Sequence, residues 1–191
     1  PMPQERIGQI AAAFPNADVL LGSGQTECVP ATVLQWPAHQ DTKSASWGPS
    51  VVTVDTRMMG PGGDLLPRGE TGEIVYRGPH VMSGYWNNPA ANTAAFAHAW
   101  FHSGDIGIRH EDGSYRIVDR KKDMIIRGGF NVYPREVEEV LYAHEAIVEV
   151  AVIGMPHERH GEEVKAVVVL APGSGVSAAE IIAYCKERLA A

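Results

Sequence analysis

The chain has 191 residues, a formal net charge of −7, 45% apolar residues and 20% charged ones, which suits a globular protein of one ordinary domain or two small ones. The acidic balance without a basic tract argues against nucleic acid as the main partner. No apolar run approaches the ~20 residues of a membrane span, the start PMPQERIGQI lacks an apolar signal region, and two distant cysteines, Cys28 and Cys185, point to a reducing, cytoplasmic setting rather than a disulfide framework.

In chain order, residues 5–14 carry apolar positions at helical spacing and lead into a short buried strand at 17–21. The hexapeptide GSGQTE (22–27) follows, where that strand ends. In sheets with a parallel core, ligands bind beyond the C-terminal ends of strands. A hydroxyl and a carboxylate there, Thr26 and Glu27, suit a phosphate oxygen and a magnesium ion; an ordinary turn explains the same six residues. Residues 28–50, with Pro30, Pro37 and Pro49, read as irregular loop.

From 50 to 118 short β-branched and aromatic runs predict strands at 50–55, 72–78 and 113–119, with turns at 60–64 and 111–114 and a helix over Pro89–His98. We read this stretch as a small β-barrel or folded-over sheet. In FHSGDIG (101–107), Asp105 stands at the start of a strand and can accept bonds from vicinal hydroxyls such as those of a ribose; a turn aspartate serving its own backbone is the alternative. In DRKKDMIIRGG (119–129), Arg120 can fork onto a hydroxyl or phosphate and Gly129 lets a ligand approach the backbone, although a solvated basic turn before a glycine hairpin fits equally.

The remainder predicts a hairpin around Gly128–Gly129, a helix at 134–144 opened by Pro134, strands at 146–154 and 162–171, and a helix at 177–189 with a Ser177/Glu180 capping box. The fold class is therefore α+β. Residues 1–119 are expected to end a large domain, with the barrel-like part at about 46–118, and 120–191 to form a small domain. His157 and His160 in HERHG lie three apart, but no third ligand is read nearby, so no metal is expected there. Ser23 lacks the glycine spacing of a hydrolase elbow.

Four stretches in order, GSGQTE, GETGEIVYRGPHVMSGYWNNPAANTAAF (69–96), WFHSGDIG (100–107) and DGSYRIVDRKKDMIIRGGFNVYPREVEEVL (112–141), resemble the adenylate-forming superfamily, the last most like its fatty acyl-CoA ligase branch. The resemblance implies a ligase that activates a carboxylic acid, expected to be a fatty acid, with ATP as acyl-AMP and passes it to coenzyme A. Passage to a carrier-protein thiol, or a non-catalytic nucleotide-binding domain, are its alternatives. It also implies roles for individual residues. Thr26 would contact the α-phosphate and Glu27 magnesium, and Asp105 and Arg120 would hold the ribose. Lys122 would be the hinge of the small domain, and Gly129, beside Gly128, would flank the pantetheine tunnel. Ser23, Gly24 and Gln25 would complete the nucleotide-binding stretch. Ser23 stands where many members carry an aromatic residue, so adenine loses that stacking area. The family's phosphate loop and its Gly-Lys adenylation motif are not in this stretch. The chain is thus expected to be a C-terminal fragment, inactive by itself, whose oligomeric state the sequence leaves open.

Overall fold

The computed structural model describes residues 4–36 and 46–189. The chain divides into two compact units, Pro1–Ile117 and Val118–Ala191. Mixed helices and antiparallel sheets make the class α+β. No helix among the described residues is long and apolar enough to cross a membrane.

In the first unit, helix α1 (Gln4–Ala13) buries Ile7 against Leu21, with Ala11 and Val19 beside them. Leu21 lies on strand β1 (Val19–Gln25), which is half-buried rather than buried, since Leu20 on its other face is 60% exposed. Nor does β1 end in a parallel sheet. It pairs antiparallel with β2 (Cys28–Trp36), from Val19 opposite Trp36 to Gln25 opposite Cys28. Much of the expected loop after residue 28 is thus a strand. Proline usually argues against a strand because it cannot donate to the ladder. Here the register shifts between Ser23 and Gln25, and Pro30 falls in the segment that the shift leaves out of the pairing. The rest of that expected loop, 37–45 with Pro37, lies outside the described residues.

The expected strand at 50–55 is also corrected. Pro49 and Ser50 make single bridges to Ser114 and Thr32, and the chain then turns, with the Val54 N–H donating to the Val51 carbonyl at 3.1 Å. The Ser50 hydroxyl donates to the Val54 carbonyl at 2.5 Å and meets the Thr56 hydroxyl at 2.8 Å. A serine side chain that satisfies local backbone in this way competes with a strand ladder. The ladder starts only at β3 (Asp55–Met59) and continues through β4 (Thr71–Arg77), β5 (Phe101–Arg109) and β6 (Tyr115–Arg120) in that spatial order. The four strands leave β3 and β6 as edges, so this sheet is open and not a closed barrel. Its buried face gathers Met58, Ile74, Tyr76, Phe101 and Tyr115 with Cys28 and Ala31 from β2. Helix α2 (Pro89–Ala95) is capped by Asn88 and stops short of the expected His98, because His98 and Ala99 take positive φ values of 54° and 61°.

The second unit follows its sequence pattern closely. Strands β7 (Ile125–Arg127) and β8 (Phe130–Val132) flank Gly128 and Gly129, whose φ values of 59° and 87° suit the two positive-φ sites of a type I′ turn. Helix α3 (Pro134–Tyr142), strands β9 (Ile147–His157) and β10 (Gly161–Leu170) and helix α4 (Ala178–Lys186) complete it, with sheet order β8-β7-β10-β9. The capping box forms, with the Ser177 hydroxyl accepting from the Glu180 N–H and the Glu180 carboxylate accepting from the Ser177 N–H. Ile125, Leu141, Ile147, Val152 and Ile181 form its core. Leu141 has no exposed surface, so Leu141→Ala should destabilise this unit by about 2–5 kcal/mol. Urea unfolding followed by circular dichroism checks this, and a loss under about 1 kcal/mol would mean the core closes over the gap.

Candidate functional site

Gly24 sits at the bulge of the β1–β2 hairpin, and a Cβ there would lie 2.9 Å from the Cys28 carbonyl oxygen. Only glycine lets the two backbones come so close. The bulge leads into a two-residue turn, Thr26–Glu27, closed by Gln25 opposite Cys28. GSGQTE is therefore the end of an antiparallel strand and its turn. Thr26 is exposed. The Glu27 carbonyl accepts from the Met82 N–H at 2.8 Å, and its carboxylate accepts from the Tyr85 hydroxyl at 2.8 Å. That bond raises the Tyr85 phenol above its ordinary value. Tyr85 is held in turn by Asn92 of α2, whose side chain accepts from the Tyr85 N–H at 2.7 Å and donates to its carbonyl at 3.0 Å. Gln25 offers a buried side-chain amide nitrogen with no hydrogen-bond partner among the described residues. An unmatched buried donor costs stability unless a ligand or water takes it.

Ser23 points inward. Its hydroxyl meets that of buried Thr32 at 2.6 Å and also bonds Tyr76. Burial pushes the Tyr76 phenol well up, and the charge of Asp105 pushes it further. Tyr76 is thus a neutral phenol that bonds Ser23 and feels the charge of Asp105, so it links two stretches far apart in sequence. Asp105 is in the middle of β5, not at a strand start, and only 9% exposed. A bend inside the strand makes this possible: Gly104 takes φ 73°, and the Asp105 N–H donates to the Ser103 hydroxyl at 3.0 Å. The bend rests on Glu73. One Glu73 oxygen accepts from the Gly104 N–H at 3.1 Å, and the other meets Nδ1 of His102 at 2.9 Å. Nε2 of His102 faces the Ala97 carbonyl at 3.1 Å.

In the second unit, Arg120 ends β6 and is exposed, its carbonyl accepting from the Asp123 N–H at 3.1 Å. Lys122 is exposed in the turn that follows. Asp119 ties this turn to α3, accepting from the N–H groups of Arg120 at 2.7 Å and Arg135 at 3.0 Å. Gly128 and Gly129 are exposed, and a Cβ on either would meet nothing within 4 Å, so within this chain it is the turn that demands glycine. Three bonds join that hairpin to the β9–β10 turn: Gly128 N–H to the His160 carbonyl at 2.8 Å, Ile126 N–H to Glu162 at 2.7 Å, and Arg127 Nε to Glu163 at 2.5 Å. The arginine bond holds the Glu163 carboxyl down at about 2, against opposition from desolvation.

Several of these contacts had no sequence signal. Nothing in GYW marks Tyr85 as the partner of Glu27, and nothing marks Glu73 as the support of Asp105. A third candidate group does lie beside HERHG: one potential ligand atom each from His157, His160 and Glu163 lies within 4.8 Å of the others.

Residues 1–86 match the AMP-binding enzyme family, and residues 136–191 match the C-terminal domain of that family. A feruloyl-CoA synthase of Amycolatopsis is 46% identical over 169 residues, 88% of this chain and 34% of that protein. A long-chain-fatty-acid–CoA ligase of Bacillus subtilis is 50% identical over 128 residues, 67% of this chain and 23% of the relative. The solved structure of ATP-bound MatB from Rhodopseudomonas palustris matches with a TM-score of 0.85 at 36% identity, covering 98% of this chain and 37% of that one. The chain therefore spans about a third, or less, of the length of these relatives.

Two tests follow from the geometry. Glu73→Ala removes the partner of His102 and of the Gly104 N–H, both part-buried, and should cost about 1–3 kcal/mol by denaturant unfolding; a cost under about 0.5 kcal/mol would mean that these bonds support nothing. For Glu163, a carbon NMR titration should find its carboxyl midpoint near 2, moving toward the ordinary ~4.3 in Arg127→Met. A depressed value means that the pair's contribution is present above the ordinary carboxylate range and fades as pH falls through about 2.

Proposed function

We propose that this chain, which belongs to the AMP-binding enzyme family, is part of an ATP-dependent acid–thiol ligase that activates a carboxylic acid as acyl-AMP, releases pyrophosphate and transfers the acyl group to coenzyme A. The observation that carries the reading is the bulged turn Gln25–Thr26–Glu27: an unpartnered buried amide donor, an exposed hydroxyl and a carboxylate in three successive residues. A phosphate group needs donors, and a cation bound to it needs a carboxylate.

Within this reading Thr26 bonds the α-phosphate and Gln25 supplies its free N–H to the nucleotide, while Ser23 and Gly24 shape the wall. The buried carboxylate of Asp105 accepts from the ribose hydroxyls, with Arg120 as a second ribose contact. Lys122, next to the Asp119 anchor, is the hinge, and Gly128 and Gly129 face the pantetheine of coenzyme A. The donor set fits magnesium: Glu27 gives one carboxylate, already oriented by Tyr85, and magnesium is often held by only one or two carboxylates plus substrate phosphates. Bound there, the ion supplies charge to offset that developing on the phosphates. The unpaired cysteines, Cys28 buried and Cys185 partly so, fit a cytoplasmic protein.

The acid is a fatty acid in our first reading, favoured by the ligase of B. subtilis at 50% identity. An aromatic acid is the second, favoured by the feruloyl-CoA synthase relative, whose match extends over more of the chain. ATP–pyrophosphate exchange, run on the full-length protein with fatty and hydroxycinnamic acids and without coenzyme A, separates them. We expect acid-dependent exchange, greatest with a fatty acid, and loss of at least tenfold in Thr26→Ala and Asp105→Asn. Exchange with hydroxycinnamic acids alone would select the aromatic reading, and none with any acid would overturn the ligase.

A further inference from the structure

We propose that His157, His160 and Glu163 form a binding site for one zinc-class divalent transition metal ion on the β9–β10 turn. The three ligand atoms lie within 4.8 Å of one another, and two imidazoles with one carboxylate are a borderline donor set that suits zinc and its neighbours rather than magnesium or calcium. None of these three side chains has a role in the ligase reading, although the His160 carbonyl accepts from the Gly128 N–H, and metal binding is read out without ligase activity.

The distances favour an ion. A tetrahedral ion with bonds of about 2.0–2.2 Å holds its ligand atoms roughly 3.3–3.5 Å apart. Nδ1 of His160 and one Glu163 oxygen, Oε2, are 3.4 Å apart. That is long for a hydrogen bond and is the edge expected of such a tetrahedron. The two histidine rings stack nearly parallel, 14° apart with centroids at 4.7 Å, and each has a ring nitrogen within 4.8 Å of a Glu163 oxygen. His157 has to close at most the difference between 4.8 and 3.4 Å, which a side-chain adjustment in an exposed turn supplies.

The surroundings of Glu163 are those of a ligand already oriented. Its other oxygen, Oε1, accepts from Arg127 Nε at 2.5 Å and from the Val164 N–H at 3.3 Å. These contacts fix the carboxylate and leave Oε2 turned to His160, the arrangement by which outer partners aim a metal ligand. The cost falls on His157, whose Nδ1 accepts from the N–H groups of Arg159 at 3.2 Å and His160 at 3.3 Å. Both bonds are long, and a water can replace them in this exposed turn. Three protein ligands leave a fourth position for water.

The test is zinc binding by the full-length protein, stripped with chelator and titrated with zinc chloride in a calorimeter. One ion should bind per chain, at least about tenfold more weakly in His157→Ala, His160→Ala and Glu163→Gln, and unchanged in His110→Ala, an exposed histidine elsewhere. Imidazole resonances of His157 and His160 should shift with zinc, whereas millimolar magnesium should leave them still. Thermal melts of the variants report that they remain folded. Zinc affinity equal across the wild type and the three cluster variants, or no zinc-induced shift at His157 and His160, would overturn the proposal.

Discussion

Close backbone contact at Gly24 sets much of the first unit. The bulge there lets the Cys28 carbonyl approach within van der Waals distance of the position any Cβ would occupy. It shifts the ladder so that Pro30 needs no partner for its missing N–H. It also places Thr26 and Glu27 in a two-residue turn that the chain around Val81–Tyr85 braces, through the Cys28–Val81 bridge and the Met82 and Tyr85 bonds to Glu27. A side chain at position 24 would force the strands apart, and the turn residues would lose the geometry on which their proposed roles depend.

The polar groups beneath that turn obey a second constraint, that buried donors and acceptors find partners. Ser23, Thr32 and Tyr76 satisfy one another, and Tyr76 remains a neutral phenol because burial and the Asp105 charge both disfavour its ionised form. Glu73 spends one oxygen on the bend at Gly104 and the other on His102. Asp105 therefore lies on a strand whose local departure from regularity is itself hydrogen-bonded. A carboxylate held on such a support loses little freedom when it accepts hydroxyl groups, which is the condition for a preorganised binding residue. Against this background the unmatched amide of Gln25 stands out.

What could be read from the sequence was mostly local. The Gly128–Gly129 turn requires two positive φ values, and the Ser177/Glu180 capping box joins residues three apart, so each carries its own signal. Helices α3 and α4 followed from apolar spacing and an opening proline or cap. What failed depended on distant partners. β2 looks like loop until β1 supplies a ladder that steps around Pro30. The V-V-T-V run looks like strand until Ser50 folds back on Val54 and Thr56. The candidate site divides in the same way. Thr26, Glu27, Asp105, Arg120 and Lys122 came from motif order, whereas Tyr85, which bonds Glu27, and Glu73, which supports the bend beside Asp105, are joined to them only by tertiary structure. Glu163 escaped for another reason. Residues at 157, 160 and 163 have helical spacing, but the stretch reads as a strand connection, where that spacing ordinarily scatters side chains; the turn between β9 and β10 brings them back together.

The β9–β10 turn and the β7–β8 hairpin then have to be considered as one device. The hairpin has only three residues in each strand, too few to be stable alone. Its attachment comes from Ile125 in the core, from the short Gly161–Arg127 pairing with β10 and from the bonds that His160, Glu162 and Glu163 make to Gly128, Ile126 and Arg127. The residue that would give one carboxylate oxygen to a metal gives the other to the arginine just before the two glycines. Any ligand that draws on Glu163 therefore changes the electrostatic pull on Arg127, and it does so at the base of the turn proposed to face pantetheine. Because Glu163 uses separate oxygens for the two partners, metal and arginine can be held together, and the hairpin would be stiffened rather than released.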